Sequence, residues 1–145
     1  MTDHIRQINA AILAHDAWKA RLLAAVESGS SEFQPDTVRA DHLCAFGQWF
    51  QSAEPELRNS LHYERVGALH AQFHEAAAQV LALALSGRGP QALTSLEFGS
   101  DYVRASVLLV DELEFWRAEL GRGESGGLPR PSASSPEPRA LSPKP

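Results

Sequence analysis

Apolar residues recur at helical spacing through most of residues 3–120, and glycine and proline separate them into segments. Four segments each predict one helix: residues 3–28, a stretch that starts near Asp36 or Thr37 and carries Cys44, residues 55–86, and residues 90–120. Gly29 and Gly87 suit helix ends, and Pro55 and Pro90 suit first helical positions. We therefore predict an all-α fold, an antiparallel four-helix bundle in which the second helix is short and carries the cysteine.

The last part of the chain has a different composition. Six of the nine prolines fall between residues 129 and 145, among serine and glycine. Such a segment buries too little apolar surface to offset the entropy lost on ordering. We predict a helical bundle over residues 1–121 and a disordered tail over residues 122–145, either solvated or, as the alternative, docking a partner through its proline-rich stretches.

Charge and cysteine content exclude several classes of protein. The tail carries four basic and two acidic residues, which leaves −7 on the rest of a chain whose total charge is −5. An acidic body without a basic stripe argues against nucleic-acid binding. A single cysteine rules out a disulfide within the chain and favours a reducing compartment. No apolar stretch is long enough to insert into a membrane, so we expect a cytoplasmic protein.

Two histidines form an H-x3-H pair, His70 and His74, in the third predicted helix. Residues i and i+4 share one face of a helix, so both imidazoles can bind one metal ion without backbone distortion. Leu69, Phe73 and Val80 place this face in or near the core, where histidines without partners are costly. The alternative is a pair that arose by chance and binds nothing.

His15 and Cys44 are the other candidate metal ligands. His15 shares an apolar helix face with Ile8 and Ile12, and its alternative role is a buried histidine bonded to a carbonyl or carboxylate. Cys44 lies in an aromatic motif, C-A-F-G-Q-W-F, and its alternative role is that of an inert small hydrophobic residue. One thiolate and three imidazoles make a complete tetrahedral ligand set for zinc.

The order and spacing of three motifs resemble those of the chemoreceptor zinc-binding family. The motifs are H-x2-W-K-x-R-L from His15, C-x-F-G-x-W from Cys44 and H-x3-H from His70, and the likeness covers roughly residues 8–115. Members of that family are cytoplasmic, mostly helical bundles that bind zinc through three histidines and one cysteine. The resemblance therefore implies that His15, Cys44, His70 and His74 are zinc ligands.

The same resemblance implies a role in bacterial-type signalling. Family members occur alone or fused to chemotaxis receptors and diguanylate cyclases, and they link zinc level or oxidation of the zinc-bound cysteine to chemotaxis or cyclic-di-GMP control. Neither output domain is attached to this chain, so we expect a sensor that acts on a separate signalling protein. The resemblance implies that this sensor is a homodimer. The alternatives are an adaptor module with a purely structural zinc and, less favoured, a metal-dependent enzyme.

Local sequence argues against catalysis. Four protein ligands leave no open position for a reacting water on zinc. Ala71 stands where an H-E-x-x-H protease has its glutamate, and no acidic residue lies three positions before any of the three histidines, as a di-iron bundle requires. We predict no catalytic residue and no organic cofactor.

Three further histidines are assigned lesser roles. His4, near the terminus, is expected to be solvated. His62 lies eight residues before His70, about 80° around an ideal helix, and should flank the site. His42, two residues before Cys44, should point elsewhere, with a supporting contact or an alternative ligand role left open.

Overall fold

The computed structural model describes residues 2–125. Within that range the chain forms eight α-helices and one 3₁₀ turn, and no strand. The helices are α1 (Thr2–Asp16), α2 (Trp18–Ser28), α3 (Pro35–Arg39), α4 (Ala45–Gln51), α5 (Pro55–Arg58), α6 (Leu61–Leu85), α7 (Gly89–Thr94) and α8 (Asp101–Ser125), and the turn spans Asp41–Leu43. The all-α prediction is confirmed, whereas the antiparallel four-helix arrangement stays a prediction.

The predicted helix over residues 3–28 is two helices that meet at Ala17. Ala17 keeps helical dihedrals, with φ −71° and ψ −16°, but the bond from the Arg21 N–H to its carbonyl is long at 3.4 Å. The two halves pack against different neighbours, α1 against α4 and α8, and α2 against α6 and α7. This division of packing is the physical reason why the helix is interrupted.

The prediction that a helix carries Cys44 is wrong. Cys44 has extended backbone dihedrals, φ −79° and ψ 159°, and forms the N-cap of α4, after α3 and the 3₁₀ turn. The turn folds back onto α4 so closely that a Cβ atom at Gly47 would collide with the Asp41 carbonyl oxygen. A continuous helix through Cys44 is incompatible with this approach, which the absence of a side chain at Gly47 permits.

The third predicted helix is also divided. Pro55 begins the short helix α5, as predicted, and a break at Asn59 and Ser60 separates α5 from the 25 residues of α6. The Ser60 hydroxyl caps α6 by accepting the His62 N–H at 3.1 Å, which explains the new start. The helix ends before Gly87, whose φ of +80° suits glycine, as the sequence predicts.

The last predicted helix is α7 and α8, joined by a loop in which Gly99 has a φ of +88°. The loop turns the chain, so the helical pattern on its two sides belongs to different helices. Leu93 and Val107 follow that pattern but are 45% and 52% exposed. Helix α8 runs to Ser125, past the predicted end near Leu120. Residues 126–145, which make up most of the predicted tail, lie outside the described part.

The core forms around α6, which packs against α2, α3, α7 and α8. Phe73 of α6 makes a ring contact with Tyr102 of α8, and the Ser60 hydroxyl, just before α6, donates a hydrogen bond to Glu119 of α8 at 2.9 Å. Phe73 and Trp116 are fully buried, so both long helices contribute large aromatic side chains to the core. Among residues 2–125, no helix has the length and apolar character needed to cross a membrane.

Candidate metal centre

The four candidate ligands lie together. His15 stands at the end of α1, Cys44 at the start of α4, and His70 and His74 one turn apart on α6. One ligand atom from each residue lies within 4.8 Å of the others. The His70 Nε2 atom is 3.1 Å from His74 Nε2 and 3.4 Å from Cys44 Sγ.

Each histidine presents its Nε2 atom to this cluster because its Nδ1 atom has another partner. The Nδ1 atom of His15 lies 2.7 Å from the Ala11 carbonyl oxygen, and that of His74 lies 2.7 Å from the Val38 carbonyl oxygen. A carbonyl only accepts, so both Nδ1 atoms carry the proton and donate it. A neutral imidazole protonated there offers the Nε2 lone pair to a metal ion.

The third histidine has a charged partner. The Nδ1 atom of His70 lies 3.5 Å from a carboxylate oxygen of Asp41, which comes from the 3₁₀ turn before Cys44. The carboxylate favours a proton on Nδ1, so His70 also offers Nε2. Asp41 and the Val38 carbonyl were missed in the sequence, although the acidic residue three positions before Cys44 was a visible signal.

Burial keeps the three imidazoles neutral. All three are at most 3% exposed. Desolvation lowers the pKa of His15 to about 4 and that of His70 to about 2, and it also lowers the pKa of His74. Neutral imidazole is the form that binds a metal ion.

Cys44 is the least buried member of the cluster. Its Sγ atom accepts the Gly47 N–H at 3.3 Å and lies 3.4 Å from the Asp41 carbonyl oxygen, to which a thiol donates. Desolvation raises the pKa of Cys44, so without a metal ion the group is a protonated thiol at neutral pH. A bound metal ion would replace that proton.

The donor set fits zinc. A tetrahedron with the usual zinc–nitrogen and zinc–sulfur bond lengths has edges of roughly 3.3–3.6 Å. The 3.1 Å and 3.4 Å separations lie close to those edges, and the 4.8 Å limit requires only a small inward movement. The two Nε2 lone pairs of His70 and His74 also face each other in a buried space, and a cation between them removes that repulsion.

Aromatic rings surround the cluster. Phe46 packs 6.2 Å from the His15 ring and 5.0 Å from the His70 ring, measured between centroids, and Phe73 lies 5.0 Å from His15. Trp49 packs behind Phe46 at 5.6 Å. The apolar wall lowers the local dielectric constant, which strengthens binding of a cation by the thiolate.

The other histidines lie away from the four ligand atoms. His62 bonds through Nδ1 to Glu112 of α8 at 2.5 Å, so it links α6 to α8. His42 is exposed. His4 is half-buried with its ring centroid 5.8 Å from that of Trp49, so the prediction that it is solvated is wrong. Contact between α1 and α4 places it against this aromatic ring.

Fold and site together define a helical protein with a buried cluster of three histidines and one cysteine. The model of the chemoreceptor zinc-binding domain matches residues 15–81. The match confirms the resemblance drawn from the sequence, over a shorter range than residues 8–115, and it includes all four clustered residues. No curated protein and no solved structure matches the chain.

Proposed function

We propose that the chain is a zinc-binding regulatory sensor module in bacterial-type signalling, with His15, Cys44, His70 and His74 as the ligands. The observation that carries the proposal is the convergence of these four ligand atoms within 4.8 Å. The match to a zinc-binding domain supports zinc as the ion. We further propose that the module is cytoplasmic and homodimeric and acts on a separate protein in chemotaxis or cyclic-di-GMP control.

Ligand positions support regulation by zinc occupancy. The ligands come from three segments, the end of α1, the start of α4, and α6. A metal ion bound to all four ties these segments together, and its loss leaves three buried imidazoles and a thiol without that link. Because the ligands lie on separate segments, a change in occupancy shifts the packing of α1 and α4 on α6.

Cys44 supports regulation by oxidation. A bound metal ion would keep its sulfur as the thiolate, which is the nucleophilic form. Attack of the thiolate on a peroxide forms an S–O bond and breaks the O–O bond, which gives a sulfenic acid and hydroxide. A sulfenic acid is a poorer ligand than a thiolate, so oxidation weakens metal binding. Cys44 is the only cysteine, so any later disulfide joins a second molecule.

A closed ligand set favours a sensor over an enzyme. With four protein ligands, a bound zinc ion would have no position for a substrate or a reacting water. A three-ligand site that retains a bound water would revive the enzyme alternative.

The test measures how zinc occupancy responds to free zinc and to peroxide, the two signals that the sensor would read. Purified protein is equilibrated against a series of zinc buffers and separately treated with peroxide, with zinc release followed by an indicator dye and Cys44 by intact mass. A sensor changes occupancy within the buffered range or releases zinc as Cys44 gains oxygen. Constant occupancy together with inert Cys44 contradicts the sensor and favours an adaptor with a structural zinc. Cys44→Ala is the control for the oxidation step.

A further inference from the structure

Two cavities meet at Cys44. The larger, about 330 Å³, lies between α1, α2 and α4, and the smaller, about 120 Å³, lies beside α3. Both are lined by Trp18, Phe33 and Cys44. The larger cavity reaches His15 as well, and its exposed lining residues, Ala10, Ala14, Arg21 and Ala45, mark its mouth. A small molecule in this cavity would therefore touch two of the four candidate metal ligands.

An arginine and two aromatic rings form one side of the larger cavity. The Trp18 and Phe33 rings pack 5.2 Å apart, and the Arg21 guanidinium lies 5.1 Å from the Trp18 ring and 5.5 Å from the Phe33 ring. At these distances the guanidinium makes cation–π contacts with both rings, and its N–H groups make no hydrogen bond to any of residues 2–125. Trp18 and Arg21 belong to the motif that follows His15, and metal binding alone does not account for them.

Charge makes this side of the cavity distinctive. Arg21 is the one lysine, arginine, aspartate or glutamate among the described residues that line the larger cavity. Most other lining residues are alanine or aromatic. The chain as a whole carries −5, whereas Arg21 supplies a positive charge at this mouth.

We infer that the larger cavity is the entry route for small molecules that react with Cys44, and that Arg21 makes the route selective for anions over neutral molecules of the same size. The chemical class is a small anionic electrophile or oxidant. The inference rests on the proposed function for its biological meaning, because a reactive Cys44 is part of that proposal. The route itself depends only on the cavity and on Arg21.

The experiment uses two alkylating reagents of matched size, anionic iodoacetate and neutral iodoacetamide. In both reactions the Cys44 sulfur displaces iodide and forms an S–C bond, and intact mass gives the rate. Both reagents need the thiolate, so the ratio of the two rates is independent of how much thiolate is present. Removing the charge with Arg21→Gln should lower the iodoacetate-to-iodoacetamide ratio roughly threefold to tenfold.

Matched variants distinguish entry through the larger cavity from general effects of changing an exposed residue. Lys19→Gln removes an exposed positive charge two residues from Arg21 and should leave the ratio unchanged. Ala14→Phe narrows the mouth and should slow both reagents, whereas Ala20→Phe, at an exposed position outside the lining, should slow neither. Circular dichroism confirms that each variant is folded.

Any of three results would overturn the inference. The iodoacetate-to-iodoacetamide ratio could stay unchanged in Arg21→Gln, or fall equally in Lys19→Gln. Alternatively, the alkylation rates could stay unaltered in Ala14→Phe. Ratios are measured on the full chain before and after chelation, and zinc content is measured separately. Normal zinc binding with a ratio that Arg21→Gln does not lower thus refutes the route alone. Absent zinc with a ratio that Arg21→Gln does lower refutes the proposed function alone.

Discussion

The Cys44 Sγ atom lies 3.4 Å from the His70 Nε2 atom, although 26 positions separate the two residues in the chain. This approach depends on the turn at Asp41, whose carbonyl oxygen contacts Sγ and whose carboxylate faces the His70 ring. The turn thus places the sulfur and orients the imidazole at once. Several predictions test whether this arrangement serves a metal ion.

His70→Ala should abolish stoichiometric zinc binding, whereas His62→Ala should retain it. His62 lies on the same helix but bonds to Glu112, whose side chain is 11% exposed. Its removal leaves that carboxylate without a partner and should lower the free energy of unfolding by about 1–3 kcal/mol. Zinc content and urea unfolding of both variants check the two effects, and loss of zinc from His62→Ala would contradict the assignment.

Asp41→Asn should weaken zinc binding by about tenfold to a hundredfold, because the carboxylate holds the His70 proton on Nδ1. Competition with a chromogenic chelator measures the affinity. The matched control is Asp36→Asn, since the Asp36 side chain is 96% exposed and bonds only to Arg39 among the described residues. Equal affinities of the two variants would show that Asp41 does not support the site.

Gly47→Ala should lower the free energy of unfolding by about 1–3 kcal/mol and weaken zinc binding, because the added Cβ collides with the Asp41 carbonyl oxygen. That oxygen belongs to backbone, so relief requires the turn beside Cys44 to move. Gly121→Ala, in α8 with no atom of residues 2–125 within 4 Å of its Cβ position, is the control and should be neutral or stabilising. Thermal unfolding and zinc affinity distinguish the pair, and an unchanged Gly47→Ala variant would contradict the packing described for the turn.

Metal-free protein should lose stability as the pH falls from 6.5 towards 4. Burial lowers the pKa of His15 to about 4 and that of His70 to about 2, whereas in the unfolded chain both keep values near 6.5. Below pH 6.5 the unfolded chain therefore binds more protons, and the free energy of unfolding falls by up to about 1.4 kcal/mol per pH unit for each histidine. Urea unfolding of chelated protein at a series of pH values measures the slope.

Two variants test whether His15 causes this dependence of the free energy of unfolding on pH. His15→Asn removes one buried imidazole and should flatten it, while His42→Asn removes an exposed one and should leave it as in the unmodified chain. A slope insensitive to His15 would mean that other groups govern the acid response.

Local patterns in the sequence predicted much of the candidate site. The i, i+4 spacing of His70 and His74 fixes their relation on α6 without any tertiary information. The apolar neighbours of His15 indicate its burial, and it is 2% exposed. The order of the motifs along the chain linked these residues to Cys44. Helical spacing within a single segment does not connect Cys44 to them.

Other features depend on contacts between distant segments. The interruption at Ala17 arises because α1 and α2 pack against different helices, and periodicity carries no record of that difference. The extended backbone of Cys44 follows from the close approach of Asp41 to Gly47, which the motif alone does not specify. The Val38 carbonyl bonded to His74 is a backbone atom and leaves no signal in the residue type.

The most direct measurement is the zinc K-edge X-ray absorption spectrum of the purified protein. We predict one zinc per chain with three nitrogen ligands at about 2.0 Å and one sulfur at about 2.3 Å. The spectrum of Cys44→Ala should lose the sulfur contribution. The unmodified protein and the His42→Asn variant, which both retain Cys44, should keep it. A spectrum of the unmodified protein without a sulfur ligand, or a protein that binds no zinc, would contradict the central claim.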